Sequence, residues 1–137
     1  MADSVRQVEY FYVLTPNKPG VGAALLDELR RAGVNLLAVS GFPSGRGAQI
    51  DFVPEDAAAF RAVAKKAKWK LTGPRRAFLI GGDDRPGAVA EIMQKLADAK
   101  INVTAIDAAC AGASRFGAIL WVAPRDVARA SRVLGAA

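Results

Sequence analysis

The chain is 137 residues long and 52% hydrophobic, with 19 basic against 13 acidic side chains and a net charge of +6. That length carries one compact domain or two small ones, and so apolar a composition excludes a disordered chain. Charges or Gly/Pro interrupt every hydrophobic stretch before the ~18–20 residues that a membrane helix needs. The sequence therefore predicts a soluble protein without membrane association. Residues 1–7 hold no basic segment leading into an apolar one, which predicts a cytoplasmic setting. Histidine is absent, which removes Ser-His-Asp and Cys-His catalysis and the usual zinc sites, so neither enzyme activity nor a metal or cofactor is expected. Cys110 is the only cysteine; it forms no intramolecular disulfide and reads as a core residue of an apolar strand.

Taken in chain order, Val8, Tyr10, Tyr12 and Leu14 alternate with Glu9, Phe11 and Val13, the period-two pattern of a strand. Thr15-Pro16-Asn17-Lys18-Pro19-Gly20 breaks it as a turn. Over residues 20–32, Ala24, Leu25, Leu29 and Ala32 recur three and four apart as the apolar stripe of a helix, which Gly33 ends. Residues 36–42 and 49–53 read as strands joined through the Gly-containing loop 43–47. Pro54, Glu55 and Asp56 open a second helix carrying Phe60 and Val63, residues 68–72 form a short strand, and Gly73-Pro74 marks a boundary. The remainder repeats the order: strand 76–80, helix 87–99, strands 103–110 and 116–122, helix 124–134.

The repetition extends to residue types. Asn17-Lys18-Pro19-Gly20 returns as Asp84-Arg85-Pro86-Gly87, 67 residues on, and the same spacing carries Leu29 to Leu96, Val34 to Ile101, Asn35 to Asn102 and Val39 to Ile106. The chain is a tandem duplication with units 1–73 and 74–137, the first βαββαβ and the second βαββα. Each is expected as an α+β, ferredoxin-like unit, an antiparallel sheet with its helices on one face. The second lacks its last strand and so leaves an edge to be covered. Units this small are marginal alone, which predicts a homodimer or higher oligomer.

Charge is distributed unevenly. Arg61, Lys65, Lys66, Lys68, Lys70, Arg75 and Arg76 occur with no acidic residue among them, leaving 12 basic against 13 acidic residues elsewhere. The basic excess is a local patch.

Strand, Asn17-Lys18-Pro19-Gly20, helix, Gly33-Val34-Asn35-Leu36, followed by Asp84-Arg85-Pro86-Gly87, helix, Lys100-Ile101-Asn102-Val103, resembles the ACT domain, an amino-acid-sensing module found on enzymes of amino-acid metabolism. Pro-Gly at a helix start and Asn before a strand each serve local structure in many proteins; their joint duplication over nearly the whole chain carries the resemblance. It implies a small stand-alone tandem ACT-domain protein that binds an amino acid. The effector site would lie where two units meet, built from the first strand-to-helix loop of one and the head of the second strand of the other. Asn17 and Asn35 match those positions. N–H groups of Gly20 and Val21, at a helix start, would favour a ligand carboxylate, and the amide of Asn35 or Asn102 would reach the ligand from the neighbouring unit. In the second copy Asp84 replaces Asn17 beside Gly87; its carboxylate would repel that of a ligand and attract an ammonium. The sites are thus expected to be unequal. For units pairing within the chain, Asn17 with Asn102 is favoured over Asp84 with Asn35; for pairing between chains, Asn17 meets Asn35 of a second copy. Leu36, Ala38 and Val103 suggest a small or branched aliphatic ligand.

Two other functions compete. A docking regulatory subunit without its own ligand would serve a separate amino-acid-biosynthetic enzyme as catalytic partner chain, with the basic patch as a docking face. An RNA-binding protein of RRM-like fold would share the βαββαβ order, but its third-strand motif fails here: Arg115 stands where Gly belongs and Ala118 where the second stacking aromatic belongs. Nucleic acid ranks well below an amino acid as partner.

Overall fold

A computed structural model describes residues 3–137. The chain forms β1 (Ser4–Pro16), α1 (Val21–Arg31), β2 (Leu36–Ser44), β3 (Gly47–Pro54), α2 (Ala57–Lys66), β4 (Thr72–Asp83), α3 (Ala88–Asp98), β5 (Val103–Gly112), β6 (Arg115–Val122) and, after a 3-10 turn at Pro124–Asp126, α4 (Val127–Leu134). This is the α+β, ferredoxin-like repeat expected. It divides into two compact units, Glu9–Arg75 and a second made of residues up to Val8 with Arg76–Ala137. β1 and β4 each contribute residues to both.

In the unit Glu9–Arg75 the strand order is β2-β3-β1, both pairs antiparallel, with Phe11 opposite Phe52 and Val39 opposite the same residue on the other side. Alternation sends Phe11, Val13 and Phe52 to the helices, where Leu29 and Phe60 meet them. The apolar phase of β1 is carried by these odd positions: Leu14 is 67% exposed, Phe11 fully buried. Asp56 caps α2, its Oδ1 accepting the Ala59 N–H at 3.1 Å. Asp56→Ala is expected to cost about 1 kcal/mol in chemical denaturation.

Several sequence boundaries move. Pro54 ends β3 and does not start a helix, and the β2–β3 connection is the two residues Gly45 and Arg46. Residues 68–71 form no strand; Trp69 instead packs its ring on Phe52, centroids 5.9 Å apart. Gly73-Pro74 lies inside β4 and breaks nothing. The reason is close backbone approach: a Cβ on Gly73 would lie 2.8 Å from the Tyr10 carbonyl oxygen and 2.9 Å from a Phe11 ring carbon. Only glycine lets the strand run on there.

The second unit has strand order β5-β6-β4, again antiparallel. Phe78, Ile80, Phe116 and Leu120 face Ile92 and Leu96 of α3 and Ala130 and Leu134 of α4. Its expected missing strand has a substitute in the opening of β1. The Ser4 hydroxyl donates to the Gly81 carbonyl (3.4 Å), the Ala137 N–H donates to the Val5 carbonyl (3.0 Å), and the Ala137 carbonyl accepts from the Gln7 N–H (3.3 Å).

Every helix closes on a left-handed residue. α1 and α4 use Gly33 (φ 70°) and Gly135 (φ 66°), whereas α2 and α3 use Lys68 (φ 60°) and Lys100 (φ 58°). An L side chain is strained in that conformation, so Lys100→Gly is expected to raise stability by about 0.5–1 kcal/mol, measured as a higher denaturation midpoint.

Candidate functional site

The duplicated strand-to-helix loop builds a depression in each unit. The first, about 280 Å³, is lined by Asn17 and Lys18, by Val21 and Gly22 at the start of α1, by Gly41, Phe42 and Pro43 of β2, and by Ile50 of β3. The second, about 390 Å³, is lined by Asp84 and Arg85, by Gly87, Val89 and Ala90 at the start of α3, by Ala108, Ala109 and Cys110 of β5, and by Phe116 of β6. The 67-residue spacing maps one onto the other, Asn17 onto Asp84, Lys18 onto Arg85 and Pro43 onto Cys110.

The helix starts have the same construction. Gly20 (φ 90°) and Gly87 (φ 83°) are the N-caps, and neither offers a side-chain oxygen to the first turn. The Val21 N–H turns back to the Lys18 carbonyl (3.4 Å) and that of Ala88 to the Arg85 carbonyl (3.3 Å), while Ala24 and Glu91 make the first intrahelical bonds. The first-turn N–H groups left over belong to Gly22 and Ala23 in one copy and Val89 and Ala90 in the other. Of the two N–H groups expected from sequence, that of Val21 is already bonded to the Lys18 carbonyl.

Electrostatically the copies differ. Lys18 is exposed, and no described carboxylate pairs with it. Its counterpart Arg85 is clamped, donating to both Asp3 carboxylate oxygens (3.2 Å each), to Glu91 (2.9 Å) and to the Asp83 carbonyl (2.8 Å). Its hydrogen bonds to the Asp3 carboxylate, and then to Glu91, push the guanidinium further toward its charged form. In front of it stands Asp84, whose Oδ2 accepts from the Cys110 thiol at 3.3 Å. The neighbouring Asp83 pairs with Arg115 (3.0 Å), whose hydrogen bond holds its carboxyl below the usual carboxylate range. The first depression therefore presents a free cation and an amide, the second a carboxylate with its local cation already neutralised.

Of the residues singled out in the sequence, Asn17 and Val21 share the first depression and Asp84 and Gly87 the second. Asn17 and Asn35 of the same unit lie apart: the Asn35 Nδ2 donates to Glu55 (3.2 Å) and its carbonyl accepts the Glu55 N–H (3.0 Å), at the opposite end of β2 from Phe42. Asn102 is exposed just before β5, likewise distant along the strand from Ala108–Cys110. Leu36 and Val103 pack against the cores of their own units and do not line the depressions. Cys110 is exposed, not core, because β5 is an outer strand and its register shifts between Cys110 and Gly112. The lining that sequence reasoning missed, Phe42, Pro43 and Ile50, lies at the far end of the hairpin. Its only signal was that Pro43 and Cys110 hold equivalent places.

Phe116, nearest the stacking position of an RNA-binding sheet, is instead part of the helix-facing core. Among the described residues no three metal-ligating side chains cluster, and no helix is long and apolar enough to cross a membrane.

No family model and no curated protein matches the sequence. Solved structures do match. A protein from Bacteroides thetaiotaomicron superposes with a TM-score of 0.79 at 15% identity, over 97% of this chain and 88% of that one. The ligand-free regulatory subunit of aspartate kinase from Thermus thermophilus gives 0.64 at 17% identity, over 98% and 95%. Escherichia coli aspartokinase III in complex with lysine and aspartate gives 0.54 at 12% identity, over 98% of this chain but 32% of that one. The likeness is one of fold: the chain has the ACT-type fold of aspartate kinase regulatory domains.

Proposed function

We propose that the chain is a non-catalytic regulatory module that binds a small amino acid in its loop-and-helix depressions, the duplication dividing in sequence near residue 73. The observation that carries this reading is one site built twice, each copy a depression beside a helix start whose glycine N-cap leaves first-turn N–H groups without a side-chain partner. The first depression suits the ligand's carboxylate, received by Gly22, Ala23 and the Lys18 charge, with the Asn17 amide as a further partner. In the second, Asp84 favours an ammonium and disfavours a carboxylate, so its affinity for the same ligand is lower.

Association is the means by which binding is passed on. β2 and β5 are outer strands, and β2 exposes Val39 (49%) and Phe42 (42%). Edge pairing with a second copy would cover Phe42 and the depression it lines, and bring Asn35 or Asn102 of that copy toward the ligand. A ligand held at such a junction shifts the equilibrium by its differential affinity for the two arrangements. A separate catalytic chain is the natural recipient of the signal.

The site is tested by amide chemical shifts on adding an amino acid. Shifts concentrated at Val21–Ala24 and Gly41–Phe42, with smaller ones at Ala88–Glu91, support the assignment; shifts confined elsewhere contradict it. Asn17→Ala is expected to weaken binding about tenfold by calorimetry, the loss of one ligand hydrogen bond.

A further inference from the structure

We propose that the cationic face of the unit Glu9–Arg75, formed by α2 and the segment leading into β4, docks an acidic segment of a partner protein. Arg61, Lys65, Lys66, Lys68, Lys70 and Arg75 are all exposed there. None of the described carboxylates forms an ion pair with them, and none occurs between Ala57 and Gly82 in sequence. Two of these cations are locally useful: Lys65 and Lys66 occupy the last turn of α2, where they complement the helix dipole. Lys68 and Lys70 lie beyond the last turn of the helix. The rest of the chain is balanced, 12 basic residues to 13 acidic once Arg76 is counted with the patch, so the positive potential belongs to this face.

The aromatic residues decide between an acidic protein and a nucleic acid. Single-stranded RNA or DNA is held by rings that stack on bases as well as by cations on phosphates. Here Phe11 is fully buried with the Arg61 guanidinium 5.3 Å from its ring centre, and Arg75 sits 5.3 Å over Tyr12. Trp69 is stacked on Phe52. The rings beside the patch are thus covered or packed inward. What remains outermost is lysine ammonium groups on flexible stems, which pair with carboxylates one at a time and need no planar partner.

The test measures fluorescence anisotropy of labelled decaglutamate and labelled decauridylate with the whole chain at about 0.05 M salt, where screening leaves surface charge effective. Decaglutamate is expected to bind more tightly than decauridylate. Lys65→Gln, Lys66→Gln, Lys68→Gln and Lys70→Gln together should weaken it about tenfold or more, while Lys95→Gln, Lys100→Gln, Arg125→Gln and Arg132→Gln together, with the same change of charge, should leave it within about twofold. If the first variant does not fold, Lys68→Gln with Lys70→Gln, both outside the helix, repeats the comparison. Tighter decauridylate binding, equal losses in the two variants, or no decaglutamate binding would each overturn the proposal. None of these readouts involves the amino-acid depressions, so failure here and failure of the ligand reading are separable.

Discussion

Replacing Phe60 by alanine is expected to destabilise the unit Glu9–Arg75 by about 3–5 kcal/mol. Phe60 is fully buried. Its ring centre lies 5.1 Å from that of Phe11, 5.3 Å from Phe52 and 6.1 Å from Trp69. It is the residue through which α2 holds the sheet. Three surrounding rings are rigid and cannot collapse into the space it leaves, so the cavity penalty adds to the lost transfer energy. The corresponding helix of the second copy carries Ala130 in its core, also fully buried, showing that the two halves fill the same place differently. Urea denaturation measures the effect; a loss below about 1.5 kcal/mol would mean that the four rings are not the packed cluster described.

Gly73→Ala is expected to cost about 3 kcal/mol or more, although the residue is exposed and its substitution adds a single methyl group. The position has φ 127°, which L residues rarely adopt, and the new Cβ would meet backbone of β1 at Tyr10 as well as the Phe11 ring. Backbone cannot swing aside as a surface side chain can. Gly117→Ala is the contrasting substitution: its Cβ would meet only the Ile80 carbonyl, at 3.9 Å, and the change should stay within about 0.5 kcal/mol. Similar losses at the two positions would contradict the close approach of β4 to β1.

Gly73 also marks where sequence reasoning and structure part. A Gly-Pro pair ordinarily ends an element, and nothing in the local sequence tells that a neighbouring strand passes so near that only glycine fits. The duplication itself was legible because it preserves turn chemistry: Pro19-Gly20 and Pro86-Gly87 each fix a helix start whatever surrounds them. Hydrophobic periodicity located α1 and α3 to within a residue, since Leu29 and Leu96 are fully or almost fully buried and recur in register, whereas α2 and α4 each begin three residues later than Pro54 and Pro124 suggested. The opening of β1 was harder. Val8 and Phe11 are both buried yet three apart, and β1 divides between the units after Val8, so no single alternation describes the strand.

The candidate site was half legible for a related reason. Asn17 and Asp84 were found because they stand in the repeated turn, next to the helix start they serve. Phe42, Pro43 and Ile50 were not, because the β2–β3 hairpin brings them to the loop from the far end of strands whose heads carry the more conspicuous Asn35. Local spacing predicts what a turn does; it does not say which end of a hairpin returns to that turn. Cys110 shows the same limit: an apolar neighbourhood in sequence became an exposed outer strand once β5 was placed beside β6 alone.

The central claim, that an amino acid binds at the duplicated loop, is tested most directly by the thermal denaturation midpoint of the purified chain against each of the twenty amino acids in turn. A ligand bound only by the native state raises stability by mass action, about 2.7 kcal/mol at a hundred times its dissociation constant. One or two amino acids are expected to raise the midpoint, with the rise diminished in Asn17→Ala and retained in Asp84→Asn. No rise with any of the twenty, at concentrations well above millimolar, would contradict the account.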